Sequence, residues 1–290
     1  MTDDSKAAYD RRIKYVIGHI CAHLEEELTL DHLAEVAGFS KFHFHRQFSA
    51  ITGFTVGELV RLTRLKRAAY QLAFDPDRSI SDVALDAGFS APESFSRAFK
   101  DAQGQTPTEF RESPQWSTWV ADRPLPAATK SDPLNPNIVE FEETRVAVLE
   151  HRGAKAELMS TVGRFIEWRR ASGESPNATS RTFGIVYFDP DRLPDGEFHF
   201  DVCGELSAPL SANEAGIVEK TIPAGRCAVV RHIGSTDAID GSVRPLYAEW
   251  LPASGEQVRD FPMFFHYIER MPKVAEHEQV TDIYLPLEDR

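Results

Sequence analysis

Cysteine is scarce. The 290 residues hold three, at positions 21, 203 and 227, too scattered for a disulfide framework or a zinc site. No apolar run is long enough to span a bilayer and no signal segment opens the chain, so no membrane association is expected, and the odd cysteine count fits a reducing cytoplasm. Neither a glycine-rich phosphate loop nor a G-x-S-x-G elbow is present, which leaves no catalytic residue to nominate and no cofactor to expect. Basic charge is in deficit as well, with a formal net charge of -13. The deficit is uneven: residues 1–112 carry 14 Lys+Arg against 17 Asp+Glu, and the remainder carries 18 against 28. Most of the excess acid therefore lies beyond Glu112.

Ahead of that point a unit is duplicated. Ala37-Gly38-Phe39-Ser40 followed by Phe44-x-Arg46-x-Phe48 returns as Ala87-Gly88-Phe89-Ser90 followed by Phe95-x-Arg97-x-Phe99, and Gly53-x-Thr55-x-x-Glu58 returns as Gly104-x-Thr106-x-x-Glu109. Each copy reads as a helix, a tight turn at glycine and a second helix opened by serine, with Ser40 and Ser90 suited to N-capping and Ser90 with Glu93 at capping-box spacing. After Ser40, the residues Phe44, Phe48 and Ile51 share one helical face, and Phe42, His45, Arg46 and Ser49 share the other. An apolar inner face under an outer face of Arg, His and aromatic residues fits a helix-turn-helix that reads a major groove. A first helix, roughly Ala7 to Leu24, carries Ile13, Val16, Ile17, Ile20, Cys21 and Leu24 at core spacing.

These motifs, with Leu33-Ala34-x-x-Ala37-Gly38-Phe39-Ser40, Ser94-Phe95-Ser96-Arg97-Ala98-Phe99-Lys100 and Gly104-x-Thr106-Pro107-x-x-Phe110-Arg111, make residues 8–112 resemble the double helix-turn-helix DNA-binding domain of the AraC/XylS family. The resemblance implies that both second helices enter successive major grooves of a promoter duplex, bridged by one long helix. The segment from Thr55 to Phe74, opened by the capping box Thr55-x-x-Glu58, supplies that helix. Arg46 and Arg97 are the candidates for bidentate guanine or phosphate contacts; Lys41, Phe42, His45 and Glu93 complete the expected DNA-binding set. Across residues 41–74, six basic side chains (Lys41, Arg46, Arg61, Arg64, Lys66, Arg67) face only Glu58, a stripe suited to phosphates in an otherwise acidic chain. Weak non-specific binding with a steep salt dependence is expected.

Periodicity fails at Ser113, and Pro114, Pro124, Pro126, Pro133 and Pro136 mark residues 113–136 as a linker, with Trp116 and Trp119 expected to dock on a domain surface. A second duplication follows. Arg145-Val-Ala-Val-Leu-Glu-His151-Arg-Gly153 returns downstream as Arg226-Cys-Ala-Val-Val-Arg-His232-Ile-Gly234. Each half reads as strand, helix, strand, strand: 139–152, 155–171, 183–189 and 197–205, then 217–233, 236–252, 262–269 and 280–287. The fold class expected is thus a multi-domain chain, an all-α double helix-turn-helix followed by a duplicated α+β domain with a cleft between its halves.

Residues 137–288 resemble the GyrI-like effector-binding domain. The resemblance is carried by Ile222-Pro223-Ala224-Gly225-Arg226, His232-x-Gly234, Leu246-Tyr247-x-x-Trp250-Leu251-Pro252-x-Ser254-Gly255, Pro262-x-Phe264-x-x-Tyr267 and Thr281-Asp282-Ile283-Tyr284-Leu285-Pro286. It implies a small lipophilic, frequently cationic, aromatic effector held by a glutamate within Pro-x-Phe-Glu-x-Tyr, and that position here is Phe265. An aromatic site holds a cation through its ring faces but forfeits the pull of the missing carboxylate. Strand alternation puts residues 265, 267 and 269 on one face, which offers Glu269 as a displaced counter-charge. The effector site expected comprises Tyr187, Phe200, Trp250, Phe265, Tyr267 and Glu269. Two alternatives stay open: a second domain that contacts a protein such as RNA polymerase, and a small hydrolase. His151 and His232 occupy matching strand ends, which argues for structural roles. His19 and His23 have i, i+4 spacing with no further metal ligand indicated.

Overall fold

The computed structural model describes residues 3–116, 135–187 and 198–289; the side chains of residues 3–10 and of Phe42 lie outside the description, as do Trp119 and most of the segment read as a linker. Two compact units divide the chain. Of the described residues, one unit takes in those up to 116 together with Gly234–Ala238 and Arg270–Gln279, and the other holds the rest.

Helices build the first unit: α1 (Asp3–Ala22), α2 (Leu30–Ala37), α3 (Lys41–Thr52), α4 (Val56–Phe74), α5 (Ile80–Asp86), α6 (Pro92–Gln103) and α7 (Pro107–Glu112). All six apolar residues picked from the first helix by their spacing are buried. Thr55 and Glu58 close the capping box of α4, the Glu58 amide donating to Thr55 Oγ1 at 3.2 Å, and Thr106 with Glu109 repeats the arrangement at α7. Ser40 caps α3 by position, without a side-chain hydrogen bond. Ser90 does not cap α6. Pro92 occupies the first turn, where its fixed φ and missing N–H suit a helix start, so the cap falls on Ala91. Each tight turn before a second helix needs a left-handed residue, and glycine supplies it at φ 65° (Gly38) and φ 79° (Gly88). Phe44 and Phe48 of α3 and their repeat equivalents Phe95 and Phe99 of α6 are fully buried, whereas Ile51, near the end of α3, is 41% exposed. Trp116 is buried in this unit, edge-on to Tyr70 and Phe110 at 5.1 Å and stacked on Phe74.

The second unit is one antiparallel sheet with helices on one face. Its strands are β1 (Asn137–Phe141), β2 (Thr144–Gly153), β3 (Thr182–Val186), β4 (Phe198–Glu205), β5 (Val218–Ile222), β6 (Gly225–Ile233), β7 (Phe264–Glu269) and β8 (Val280–Pro286), in the order β1-β6-β8-β7-β3-β4-β2-β5. Exchanging each strand for its repeat equivalent reverses this order onto itself, so a pseudo-twofold axis passes between β3 and β7. The single strands expected at 139–152 and 217–233 are each two strands, broken around Glu142-Glu143 and Pro223-Ala224. The split lets the halves trade edges: β1 pairs with β6 and β5 pairs with β2.

The first-half helix, α8 (Leu158–Ser172), is continuous, but its counterpart is segmented into α9 (Asp240–Pro245), a π turn over Leu246–Trp250 and α10 (Leu251–Ser254). Pro245 and Pro252 lack the N–H that a regular ladder needs, and the chain widens to a bond from Leu251 N–H to Leu246 O. Two apolar layers result. Phe200, Val202, Phe265, Ile283 and Leu285 pack with Phe165 and Trp168 of α8 on one face; Phe141, Val148, Phe183, Ile185, Cys203 and Phe264 form the other. Among the described residues no helix is long and apolar enough to cross a membrane.

Candidate nucleic-acid interface and effector site

In the first unit the buried phenylalanines fix which sides of α3 and α6 remain outward. His45 and Arg46 of α3, and Glu93 and Arg97 of α6, are exposed on the faces away from Phe44/Phe48 and Phe95/Phe99. Lys41 is exposed and pairs with exposed Asp31 at 2.7 Å, a surface pair weak enough to yield to a phosphate.

The basic stripe is thinner than the sequence suggests. Arg64 spends its guanidinium on the carbonyls at the end of the first helical segment, donating to Leu24 O at 2.7 Å and Glu26 O at 3.0 Å. Arg67 pairs with Glu25 at 3.0 Å. Lys66 is 7% exposed, with Nζ 2.6 Å from Asp237 and 2.7 Å from Glu276. Burial opposes its charge, but Glu276 and then Asp237 outweigh burial and raise its pKa above the ordinary lysine value. Lys66 is therefore withdrawn from any phosphate, and Lys41, Arg46 and Arg61 remain as the exposed cations of the stripe.

In the second unit Phe200, Phe265 and Tyr267 converge on the helix-bearing face of the sheet, and Trp250 packs against the same apolar layer from the segmented helix, with Trp250 and Tyr267 half-buried. The Phe265 and Tyr267 rings lie 6.2 Å apart. Gly184 of β3 pairs directly with Phe265 and lies beneath this cluster. A Cβ there would stand 2.3 Å from Phe200 Cζ and 2.9 Å from Tyr267 Oη, so the missing side chain is what lets those two side chains converge. Thr281, the register partner of Tyr267 and hence on the same face, is buried, and its Oγ1 has no hydrogen-bond partner among the described residues. An aromatic bed with one orphaned hydroxyl can hold a flat apolar molecule that brings a hydrogen-bonding group.

Two expected members of the site are elsewhere. Tyr187 sits with the other layer, stacked on His199 at 3.9 Å and donating to Asp201 at 2.8 Å; burial and then the Asp201 bond push its hydroxyl pKa up to about 12. With the repeat aligned on His151 and His232, the counterpart of Tyr267 is Val186, so Tyr187 falls on the opposite face of its strand. Glu269 is displaced by a β-bulge. The β7–β8 pairing jumps from Tyr267↔Thr281 to Glu269↔Val280, which inserts Ile268 and turns exposed Glu269 to the face opposite Phe265 and Tyr267. It supplies no counter-charge to the aromatic bed.

Sequence reading missed Gly184 and Thr281, although the repeat alignment that maps Gly184 onto Phe265 was available. It also missed fully buried Asp201, which Lys220 approaches at 2.7 Å on the layer opposite the aromatic bed. His151 and His232 tie strand to helix in the same way: Nδ1 of His151 lies 2.8 Å from Thr161 Oγ1, and Nδ1 of His232 lies 2.9 Å from Ser242 Oγ, the equivalent hydroxyl of the other half. Among the described residues, no group of three or more His, Cys, Asp or Glu is placed to hold a metal ion.

Residues 134–288 match the GyrI-like small molecule binding domain, and residues 33–113 match a helix-turn-helix domain. The probable transcriptional regulator YgiV of Escherichia coli (strain K12) is 40% identical over 154 residues, 53% of this chain and 96% of that protein. The right origin-binding protein of the same organism is 30% identical over 178 residues, 60% of this chain and 61% of its own. The regulatory protein SoxS of Salmonella typhimurium is 34% identical over 104 residues, 36% of this chain and 96% of that protein. The chain belongs to the family of DNA-binding transcription regulators that join an AraC-type helix-turn-helix domain to a GyrI-like small molecule binding domain.

Proposed function

We propose that this regulator reads a promoter with Arg46 of α3 and Arg97 of α6 and senses an uncharged, amphipathic aromatic molecule on the bed formed by Phe200, Trp250, Phe265 and Tyr267. It acts by binding and not by turnover. The observation that supports the DNA half most directly is the repetition itself: two outward arginines at equivalent places, each over a pair of fully buried phenylalanines. A planar guanidinium fork matches guanine O6 and N7, and the rigid inner face holds it in place. On the effector side, Phe265 puts a ring where a carboxylate would otherwise attract a cation, and the Thr281 hydroxyl favours a ligand that carries a hydrogen-bonding group.

The test uses the full chain and a duplex selected by it from random sequence. Arg46→Ala and Arg97→Ala are each expected to weaken that duplex by about 1–3 kcal/mol and to relax base preference at separate positions. Undiminished specific binding in both variants would remove α3 and α6 from the interface.

A further inference from the structure

The helical unit is not built from the N-terminal region alone. It includes Gly234–Ala238, which directly follows β6, and Arg270–Gln279, which joins β7 to β8. Both segments meet at Lys66 of α4, where Asp237 Oδ2 and Glu276 Oε1 stand 2.6 and 2.7 Å from Nζ. Glu276 also accepts from Ser235 Oγ at 2.5 Å, so the two segments are bonded to each other as well as to the helix. The Glu276 side chain is 12% exposed and Tyr70, one turn on from Lys66, packs in the same region. A buried lysine held by two carboxylates is costly to separate, because removing one partner leaves a charge without compensation. Surface cations such as Lys41 have no comparable setting.

The covalent path out of this cluster leads to the aromatic bed. Tyr267 lies three residues before Arg270 on β7, with the bulge at Ile268 between them. In the other direction, α4 is the helix that connects α3 to the second helix-turn-helix. A ligand alters DNA binding only if it binds two states of the chain unequally, so something that links β7 to α4 must differ between those states.

We propose that the Lys66–Asp237–Glu276 cluster is the clamp through which effector binding acts on DNA binding: a molecule that displaces Phe265 and Tyr267 shifts the start of Arg270–Gln279, loosens Glu276 from Lys66 and releases α4. The proposal rests on the aromatic bed being the effector site, and its test separates the two.

Affinity of the full chain for its selected duplex is measured for the wild type, Lys66→Met and Glu276→Gln, with and without triphenylphosphine oxide or tetraphenylphosphonium as probes. A saturating probe that binds is expected to change wild-type affinity by roughly 5- to 150-fold, the ordinary range of coupling between sites. Both variants should show that changed affinity without any probe and no longer respond to it. The variants alter charge in opposite senses, so a clamp moves DNA affinity the same way in both, whereas a simple electrostatic effect moves it in opposite ways. Unchanged affinity in both variants, or shifts of opposite sign, overturns the clamp whatever the probes do. A probe that binds the wild type and leaves DNA affinity alone overturns the transmission. If neither probe binds, the reading of the aromatic bed fails, and the clamp still stands or falls on the probe-free affinities of the two variants.

Discussion

Gly184 and Phe265 face each other across the β3–β7 pair, and they are also equivalent positions of the internal repeat. The pseudo-twofold axis therefore passes between a residue with no side chain and one with a large ring. A symmetric pair could not do this: two phenylalanines would fill the centre of the sheet, and two glycines would leave it bare. Substituting alanine at Gly184 puts a methyl 2.3 Å from Phe200 Cζ. We expect Gly184→Ala to destabilise the chain by about 1–3 kcal/mol through overpacking and to weaken ligand binding on the same face. Chemical denaturation and calorimetric titration check the two effects separately; a variant with unaltered affinity for a bound ligand would detach Gly184 from the site.

Phe265→Glu tests what the ring does to ligand charge. A carboxylate on the aromatic bed attracts a cation strongly because the surrounding rings exclude water, and it gains nothing from a neutral ligand. The ratio of affinities for tetraphenylphosphonium over triphenylphosphine oxide is expected to rise about tenfold or more in the variant, one decade being about 1.4 kcal/mol. Wild-type chain should show no preference for the cation. An unchanged ratio would place residue 265 out of reach of the ligand.

Legibility followed the range of the interactions involved. The Thr55–Glu58 capping box, the six buried apolar residues of the first helix, the buried Phe44 and Phe48 of α3 and the duplicated order of the second unit are local or periodic, and the chain spells them out. Where one residue overrides a local rule, reading fails by a short step: Pro92 moves the cap of α6 from Ser90 to Ala91, and Ile268 inserts into β7 and turns Glu269 over. A period of two carries no information about an extra residue. Tyr187 stands one residue beyond the repeat counterpart of Tyr267, and a shift of one residue inverts every side chain of a strand. Lys66 was unreadable in principle, because its partners are 171 and 210 residues away and its composition context is that of a phosphate-binding stripe.

Burial of Lys66 has a measurable consequence for salt dependence. Each phosphate neutralised by a lysine or arginine adds about 0.9 to the slope of log affinity against log salt. Arg61 is exposed on α4 and Lys66 is buried against carboxylates. Arg61→Ala should lower the slope by about one, and Lys66→Met should leave it unchanged even where affinity itself moves. A reduced slope for Lys66→Met would return Lys66 to the interface.

Acid should destabilise the second unit through two histidines. His199 and His266 both titrate below the ordinary value of 6.5. Burial is the first cause in each; Arg152 adds to it at His199 and Arg181 at His266, against the opposing pull of Asp201 and Glu150 on the former and of Asp282 and Glu205 on the latter. The unfolded chain takes up protons near 6.5, while the folded chain resists them until lower pH, so the unfolded state binds more protons in between and stability falls as pH drops. The contribution is fully present above 6.5 and is lost as pH falls through the lowered folded values. Hydrogen exchange of β4 and β7 amides on either side of pH 6.5, corrected for intrinsic rates, should show protection declining on the acid side, and His199→Asn with His266→Asn should flatten that decline. Protection that fell equally in the double variant would assign the acid sensitivity to the carboxylates instead. Glu205 and Glu150, both held below the ordinary carboxylate value, lose their ion pairs only at still lower pH. The two classes of group are thus separable by the pH at which the loss begins.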